Sequence, residues 1–590
     1  MAKYSDTFMD WLIESGYTHC FYVAGGNVMH LLESASTRFK CIPFVHEVGA
    51  CIAVDYFNEV SEQGNKAFVL VTAGPGTTNT VTGVAGAWTE SRELLVIGGQ
   101  AKSGEMSKGQ FRQIGFQEID GVSLMRSITK ASISIDKQIG KAELFSLIEL
   151  SRSGRKGPVF LEICLDVSTQ ETSLSLNASV NKFVESKVPT TTEGMQNVLN
   201  LLQQSQRPLI LVGGGINRST DLTRLMEFQI PIATTFNGSD RINSNYEFYC
   251  GRPNWYGSRW ANFILQQSDL IIALGTRLGL QQTGYNWKAF APLAKIVQVE
   301  IDNTELERGF PKLELAINSD ANQFVSNLQE NLPKDYKNLY LDWKKYIQSI
   351  KAGLMGPEKI NTSEAPYLEA MKFVDDLINF SNGDEIIIPC SSGAAAYEGA
   401  MRVINLKGSQ KMVTSHAMAS MGYGLSGAIG AALANPDKKV ISFEGDGGFA
   451  QNQQELGVAV INNLNLKFFL LDNQGYQSIK GNQKNSFGGH YVGCDYSTGL
   501  ALPNWVDFAK SYGAKVLEVD QGNAFNYEFS QLFNSLGFVI FIVKIDPNQT
   551  YWPRIMSSRD EFGNVISNPL HLMDPPLNED LIKKYLKYLN

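Results

Sequence analysis

Val440-Ile441-Ser442-Phe443-Glu444-Gly445-Asp446-Gly447-Gly448-Phe449 is a short apolar run that breaks into one acid set among glycines. Continuous apolar runs closed by turn residues suit parallel strands buried on both faces. The run at 468–471 repeats the arrangement, ending in Leu471-Asp472-Asn473-Gln474-Gly475. In a parallel sheet both turns fall at the carboxyl edge, where ligands bind. Asp446 offers a carboxylate, Asn473 an amide oxygen, and the turn at Gly475 a backbone carbonyl. Hard oxygen donors of this kind suit Mg2+, which keeps further positions for water and phosphate oxygens. Gly447 and Gly448 let backbone N–H groups approach a phosphate closely, and a helix expected to begin near Asn452 points its positive end there. Gly-Asp-Gly alone reads as a tight turn. The asparagine after the next strand turns it into a metal and diphosphate site.

The same pattern extends toward the N-terminus. Residues 20–23 form an apolar run into Ala24-Gly25-Gly26, and 67–71 form another, followed by Gly74-Pro75-Gly76 and a small-residue helix from Thr77. Runs at 94–97 and 159–163 complete a first block, opened by an amphipathic helix over 4–14 with Phe8, Trp11 and Leu12 on one face. Residues 168–193 are polar and Ser/Thr-rich and read as a linker. A second block starts at Pro208, with strands expected at 209–212, 270–274 and 296–301. A charged stretch over 333–360 separates it from the third, whose further strands fall at 385–388 and 538–545 beside a glycine-rich helix over 422–434. The fold class expected is α/β, with three successive doubly wound parallel-sheet domains over 1–180, 193–335 and 365–560, and a C-terminal tail over 561–590.

Composition sets the outer limits. A chain of 590 residues, 43% hydrophobic, is too long for one core. With 51 basic and 59 acidic residues the net charge is −8, which argues against a nucleic-acid groove. No window holds the ~18 consecutive apolar residues of a membrane helix, and residues 1–10 lack a basic segment leading into an apolar one. The seven cysteines are scattered, with no C-x-x-C pair. That excludes a zinc knuckle and favours reduced thiols in the cytoplasm, the expected location.

Gly-Asp-Gly, then 25 residues, then Asn resembles the diphosphate-binding signature of thiamine-diphosphate enzymes, and most of all the acetolactate synthase family with its carboligase relatives. Phe44-Val45-His46-Glu47 resembles the family's glutamate segment, and Thr72 to Asn79 its pyrimidine-side glycine loop. Gly115-Phe116-Gln117-Glu118 resembles its substrate segment, and Ser415 to Gly424 the start of its Met-Gly-x-Gly helix. The resemblance implies a pyrimidine-binding domain, a central dinucleotide-type domain and a diphosphate-binding domain, in that order. It implies thiamine diphosphate and Mg2+ as cofactors, with Asp446, Asn473 and Gly475 on the metal. Glu47 then relays a proton to the aminopyrimidine ring, and Phe116 and Gln117 line the acceptor pocket. Asn79, Ser392, Gly393, Met421, Gly447, Gly448, Tyr476 and Gln477 fall at cofactor-binding positions. The family's glycine-glutamine-histidine run is replaced by Ala394-Ala395-Ala396.

Gly213-Gly214-Gly215, Gly275, Arg277 and Glu300 look like a dinucleotide turn, and acetolactate synthases hold FAD with a similar set; Leu278-Gly279-Leu280 stands where those enzymes carry further Asp and Arg residues. The implied reaction transfers the acyl unit of a 2-oxo acid, pyruvate first, to a second carbonyl. Gly475 to Lys480, with Ser486-Phe487-Gly488-Gly489, departs from the biosynthetic enzymes and is similar to members acting on a keto-deoxysugar nucleotide. A flavin-dependent enzyme of the pyruvate oxidase type and an inactive regulatory protein are the alternatives. The implied partners are small molecules and a second copy of the chain, as homodimer or homotetramer with sites between subunits, and neither nucleic acid nor membrane.

Overall fold

The computed structural model describes residues 3–172, 191–333, 339–356, 363–559 and 561–589. Three sheets of parallel strand pairs carry the architecture. The first is built from β1 (Tyr17–Tyr22), β2 (Lys40–Pro43), β3 (Lys66–Val71), β4 (Leu94–Gln100), β5 (Ala131–Ile135) and β6 (Pro158–Cys164), in the order β2-β1-β3-β4-β6-β5. The inner strands β4 and β6 are buried along their whole length, as uninterrupted apolar runs require. The second sheet holds β7 (Pro208–Val212), β8 (Ile232–Thr234), β9 (Leu270–Leu274), β10 (Lys295–Glu300) and β11 (Leu315–Asn318), ordered β11-β10-β9-β7-β8.

After β12 (Ile386–Pro389) and the two-residue β13 (Lys411–Met412), the third sheet continues with β14 (Val440–Gly445), β15 (Leu466–Asp472), β16 (Lys515–Val519) and β17 (Val539–Lys544). Five of its strands run β12-β14-β15-β17-β16. Phe469 of β15 stands opposite Phe541 of β17, their rings stacked with centroids 4.6 Å apart.

The chain divides into two units. One gathers Met1–Glu185, Ile386–Gly393 and Ser415–Lys544, so the first and third sheets share it. Inside it the helix Glu47–Val60 packs on the glycine-rich helix Tyr423–Ala434. Glycine is required at that contact, because a Cβ at Gly430 would run into the Ala53 carbonyl and one at Gly427 into the Tyr56 ring. The other unit holds Ser186–Glu385, Ala394–Thr414 and Ile545–Asn590 around the second sheet. Its C-terminal segment adds the helix Glu579–Tyr585 and puts Ile555, Leu570 and Met573 into the same core as Trp260 and Trp343.

The helix expected near Asn452 is present, as a 3-10 turn over Gln453–Glu455 with Asn452 at its N-cap that continues into Leu456–Ile461, and a separate turn over Asp446–Phe449 sits directly on β14. Two elements differ from the sequence reading. The charged stretch over 333–360 contains the helix Leu341–Leu354, which leaves Asp342 and Lys345 exposed while Trp343, Ile347 and Ile350 are buried. β5 escapes an apolar-run search because Ala131-Ser132-Ile133-Ser134-Ile135 alternates, as a half-covered edge strand does. Residues 173–190 of the expected linker lie outside the described residues.

Candidate active site

β14 and β15 are neighbours with Gly445 opposite Leu471, so the turns after them meet at one sheet edge. Asp446 is fully buried. Gly447 N–H donates to its Oδ1 (2.9 Å) and Gly475 N–H to its Oδ2 (2.8 Å). The Asn473 side-chain oxygen faces acceptors only: its position lies 2.9 Å from the Gly475 carbonyl oxygen and 3.0 Å from Asp446 Oδ1. With nothing between them the amide would sit better turned over, its N–H2 donating to both. A divalent cation reverses that preference. Adjacent ligands of an octahedral Mg2+, at about 2.0–2.1 Å from the metal, stand roughly 2.9 Å from one another, which matches both of these separations.

Asp472, to which the sequence reading gave no role, lies beside Asp446 and accepts the Gln474 N–H at 3.1 Å. Burial first, and then the Asp472 carboxylate, push the Asp446 carboxyl well above its ordinary range. A cation would supply the missing positive charge. Among the described residues no cluster of three His, Cys, Asp or Glu side chains is placed to hold a metal; Mg2+ needs none, since one or two carboxylates plus phosphate oxygens satisfy it. A cavity of about 250 Å3 opens beside the two carboxylates, walled by Tyr496, Asn504, Trp505 and Ile542.

Glu47 is buried at the first position of its helix. Asn79, from the helix Pro75–Thr89, donates its Nδ2–H to Glu47 Oε2 at 2.9 Å. His46 caps the helix, its Nδ1 accepting the Val48 N–H at 3.3 Å. Glu455 adds a contact that sequence reasoning missed. Its carboxylate accepts the backbone N–H groups of His46 (2.9 Å) and Val45 (3.2 Å). Burial pushes the Glu455 carboxyl up to about 7, against the pull of those two hydrogen bonds, and the nearby Glu47 adds to the rise.

The Phe116-Gln117 loop is built around Glu118. Its carboxylate accepts N–H groups from Ser107 (2.6 Å), Ile114 (2.8 Å) and Gly115 (3.0 Å). Burial raises this carboxyl, but the hydrogen bonds win and hold it at about 2. The loop thereby presents Phe116, 81% exposed, and sets Gln117 at φ 61° against the turn at Gly74. Asn27 Nδ2–H ties down the Phe116 carbonyl at 3.3 Å.

Of the other expected cofactor positions, Ser392 accepts the Cys390 thiol on its carbonyl at 2.8 Å, and Gly393 follows at φ 105°. Met421 is 40% exposed just before the helix Tyr423–Ala434. A Cβ on Gly447 would overlap the Tyr476 ring, so the glycine keeps its backbone open. Gly448 lies in the same helical turn. Gln477 opens the helix Gln477–Phe487, none of whose residues is buried.

The central sheet presents a different picture. A Cβ at Gly213 or Gly215 would strike the backbone of Gly275, so these glycines are explained by packing on one another, and Gly214 approaches Asn237. The Arg277 carbonyl accepts from Arg308, and Glu300 Oε1 takes the N–H of Ile301 at 3.0 Å.

Comparison with known proteins gives the class. The chain matches the N-terminal TPP binding domain (residues 2–124), the central domain (195–328) and the C-terminal TPP binding domain (393–543) of thiamine pyrophosphate enzymes. Its cofactor is thiamine pyrophosphate. The acetolactate synthase large subunit of Lactococcus lactis is 31% identical over 526 residues, 88% of either chain. A chloroplastic acetolactate synthase of Nicotiana tabacum is 28% identical over 96% of this chain and 85% of its own. Isozyme 2 of Escherichia coli is 26% identical over 86% and 89%. The chain belongs to the acetolactate synthase family and is a thiamine-pyrophosphate-dependent carboligase of that type. Neither the oxidase nor the inactive-protein alternative is favoured by these likenesses. Among the described residues no helix is long and apolar enough to cross a membrane.

Proposed function

We propose that the chain takes the acyl unit of pyruvate and joins it to a second carbonyl compound, with Mg2+ and thiamine diphosphate held at the edge of the third sheet. The observation that carries the site is the Asn473 side-chain oxygen, which lies 2.9 Å from the Gly475 carbonyl oxygen and 3.0 Å from Asp446 Oδ1. Thiamine diphosphate, when bound, supplies the carbon that adds to a 2-oxo acid and lets CO2 leave. Asp446, the Asn473 amide and the Gly475 carbonyl hold the cation, and the open backbone at Gly447 and Gly448 admits a phosphate. Glu47 holds a proton on its carboxyl against the aminopyrimidine ring, oriented by Asn79. Phe116 covers the reacting centre and Gln117 orients the second carbonyl without offering it an acidic proton.

The exposed Val45 (63%), Phe116 and Met421 support completion of the site by a second copy, as a homodimer or homotetramer. The uncovered helix Gln477–Phe487 supports room for a large acceptor such as a keto-deoxysugar nucleotide. Flavin has no matching support, because the glycines of the central sheet are accounted for by their own packing. The test is product analysis with pyruvate, Mg2+ and thiamine diphosphate, with and without oxygen, using a second 2-oxo acid or a keto-deoxysugar nucleotide as acceptor. Release of CO2 with a new carbon–carbon bond, independent of oxygen, is the expected result. A requirement for oxygen or another electron acceptor would overturn the reading.

A further inference from the structure

Cys20 of β1 and Cys41 of β2 stand directly opposite one another in a parallel pair. Partners in register project from the same face, and here both side chains join the hydrophobic core of the first sheet. The two thiols are near enough to shift one another's pKa. Cys20 is fully buried, whereas Cys41 lies on an edge strand and is only half-buried; the other five cysteines are all buried. One thiol of seven is therefore within reach of solvent, and it has a second thiol built against it.

We propose that this pair is an oxidative modification site: a hydroperoxide attacks Cys41, and Cys20 resolves the product into a Cys20–Cys41 disulfide. Three observations agree. Neighbouring strands lie about 4.7–4.9 Å apart, inside the Cα separations of roughly 4.4–6.8 Å that disulfides span. The neighbouring Cys20 thiol lowers the pKa of Cys41, favouring the thiolate on the reachable sulfur, while burial raises that of Cys20 and keeps it protonated. Among the described residues no strand covers the far side of β2 in the sheet order.

The steps balance. The Cys41 sulfur takes one oxygen from the hydroperoxide, whose O–O bond breaks, and an alcohol or water leaves; Cys41 becomes a sulfenic acid. The Cys20 sulfur then attacks the Cys41 sulfur, the S–O bond breaks, and the hydroxide leaves as water with the Cys20 proton. Two electrons pass from the two sulfurs to the peroxide. Facing residues of a parallel pair hold their Cβ atoms near the upper limit for a disulfide, so the bond formed is readily reduced. It would join β1 to β2, after which the chain continues through Phe44-Val45-His46 into Glu47.

The experiment treats the reduced full-length chain with hydrogen peroxide, digests it without reductant and maps cysteine peptides by mass spectrometry. A cross-linked Cys20–Cys41 peptide, lighter by two hydrogens and restored by dithiothreitol, is expected. In C20S, Cys41 should accumulate as a sulfenic acid that dimedone traps. C41S should lose the cross-link and leave Cys20 unmodified. The proposal fails if wild-type Cys41 proceeds to sulfinic acid without linkage, pairs with a second chain, or stays unmodified. The wild-type map decides this even where a serine variant does not fold.

Discussion

Glu455 Oε1 accepts the backbone N–H of His46 at 2.9 Å across 409 positions of sequence. Its other oxygen takes the N–H of Val45, so one buried carboxylate fixes the two residues that lead into Glu47. Truncation leaves two N–H groups without an acceptor in a dry environment, at about 1–3 kcal/mol each. Glu455→Ala should therefore lower unfolding free energy by roughly 2–4 kcal/mol in denaturant titration. It should also cut kcat more than it weakens cofactor binding, because Glu47 loses its position while the Asp446 turn does not.

The same residue makes stability depend on pH. Glu455 and Glu162 are both buried carboxyls pushed up to about 7, burial being the first cause of each. Their folded pKa lies above the unfolded value, so the stability of the neutral form is complete below about pH 4.5 and is lost as pH rises through about 7. Unfolding free energy should fall across this window, by up to roughly 3 kcal/mol per group. Denaturant titrations at pH 5, 6 and 7 should show a flatter slope for Glu162→Gln than for wild type. An unchanged slope would contradict the assignment.

Removal of the proton-holding group at Glu47 should be the most damaging change to turnover. Glu47→Gln keeps the shape and should slow the reaction by orders of magnitude while the circular dichroism spectrum stays native. Asn79→Ala removes one hydrogen bond to Glu47 Oε2 and should cost about tenfold, the worth of roughly 1.4 kcal/mol.

For the cation, the informative variant is Asp446→Ala. Only the Asn473 amide and the Gly475 carbonyl then remain, and neither neutralises charge. Calorimetric titration with thiamine diphosphate should lose its dependence on Mg2+ altogether. Equal affinity with and without a chelator in wild type would remove the cation from the site.

Gln117→Ala should separate the two halves of the reaction. Decarboxylation of pyruvate should persist while the yield of coupled product falls several-fold in favour of free aldehyde, as measured by chromatography of the products.

The strands were readable from local sequence because burial on both faces writes an uninterrupted apolar run, as at Phe468 to Leu471, Leu270 to Leu274 and Leu94 to Ile97. The turns were readable because Gly-Asp-Gly and Asp-Asn-Gln-Gly break such runs at the carboxyl edge of the sheet. Alternating β5 and the amphipathic Leu341–Leu354 helix were missed: half-covered elements mix polar and apolar residues, and the cover lies elsewhere in the chain.

What only the tertiary structure decided is which distant groups share a dielectric. Gln453-Gln454-Glu455 reads as a polar turn until the fold buries Glu455 against His46. Cys20 and Cys41 are two scattered thiols until parallel pairing sets them opposite one another. Asp472 is a strand-end acid until it lies beside Asp446. A hydrogen bond across hundreds of positions leaves no periodicity in the sequence, and burial has no value before the covering element exists. The sequence could therefore name the residues at the turns, and the fold had to supply the distant groups that position them.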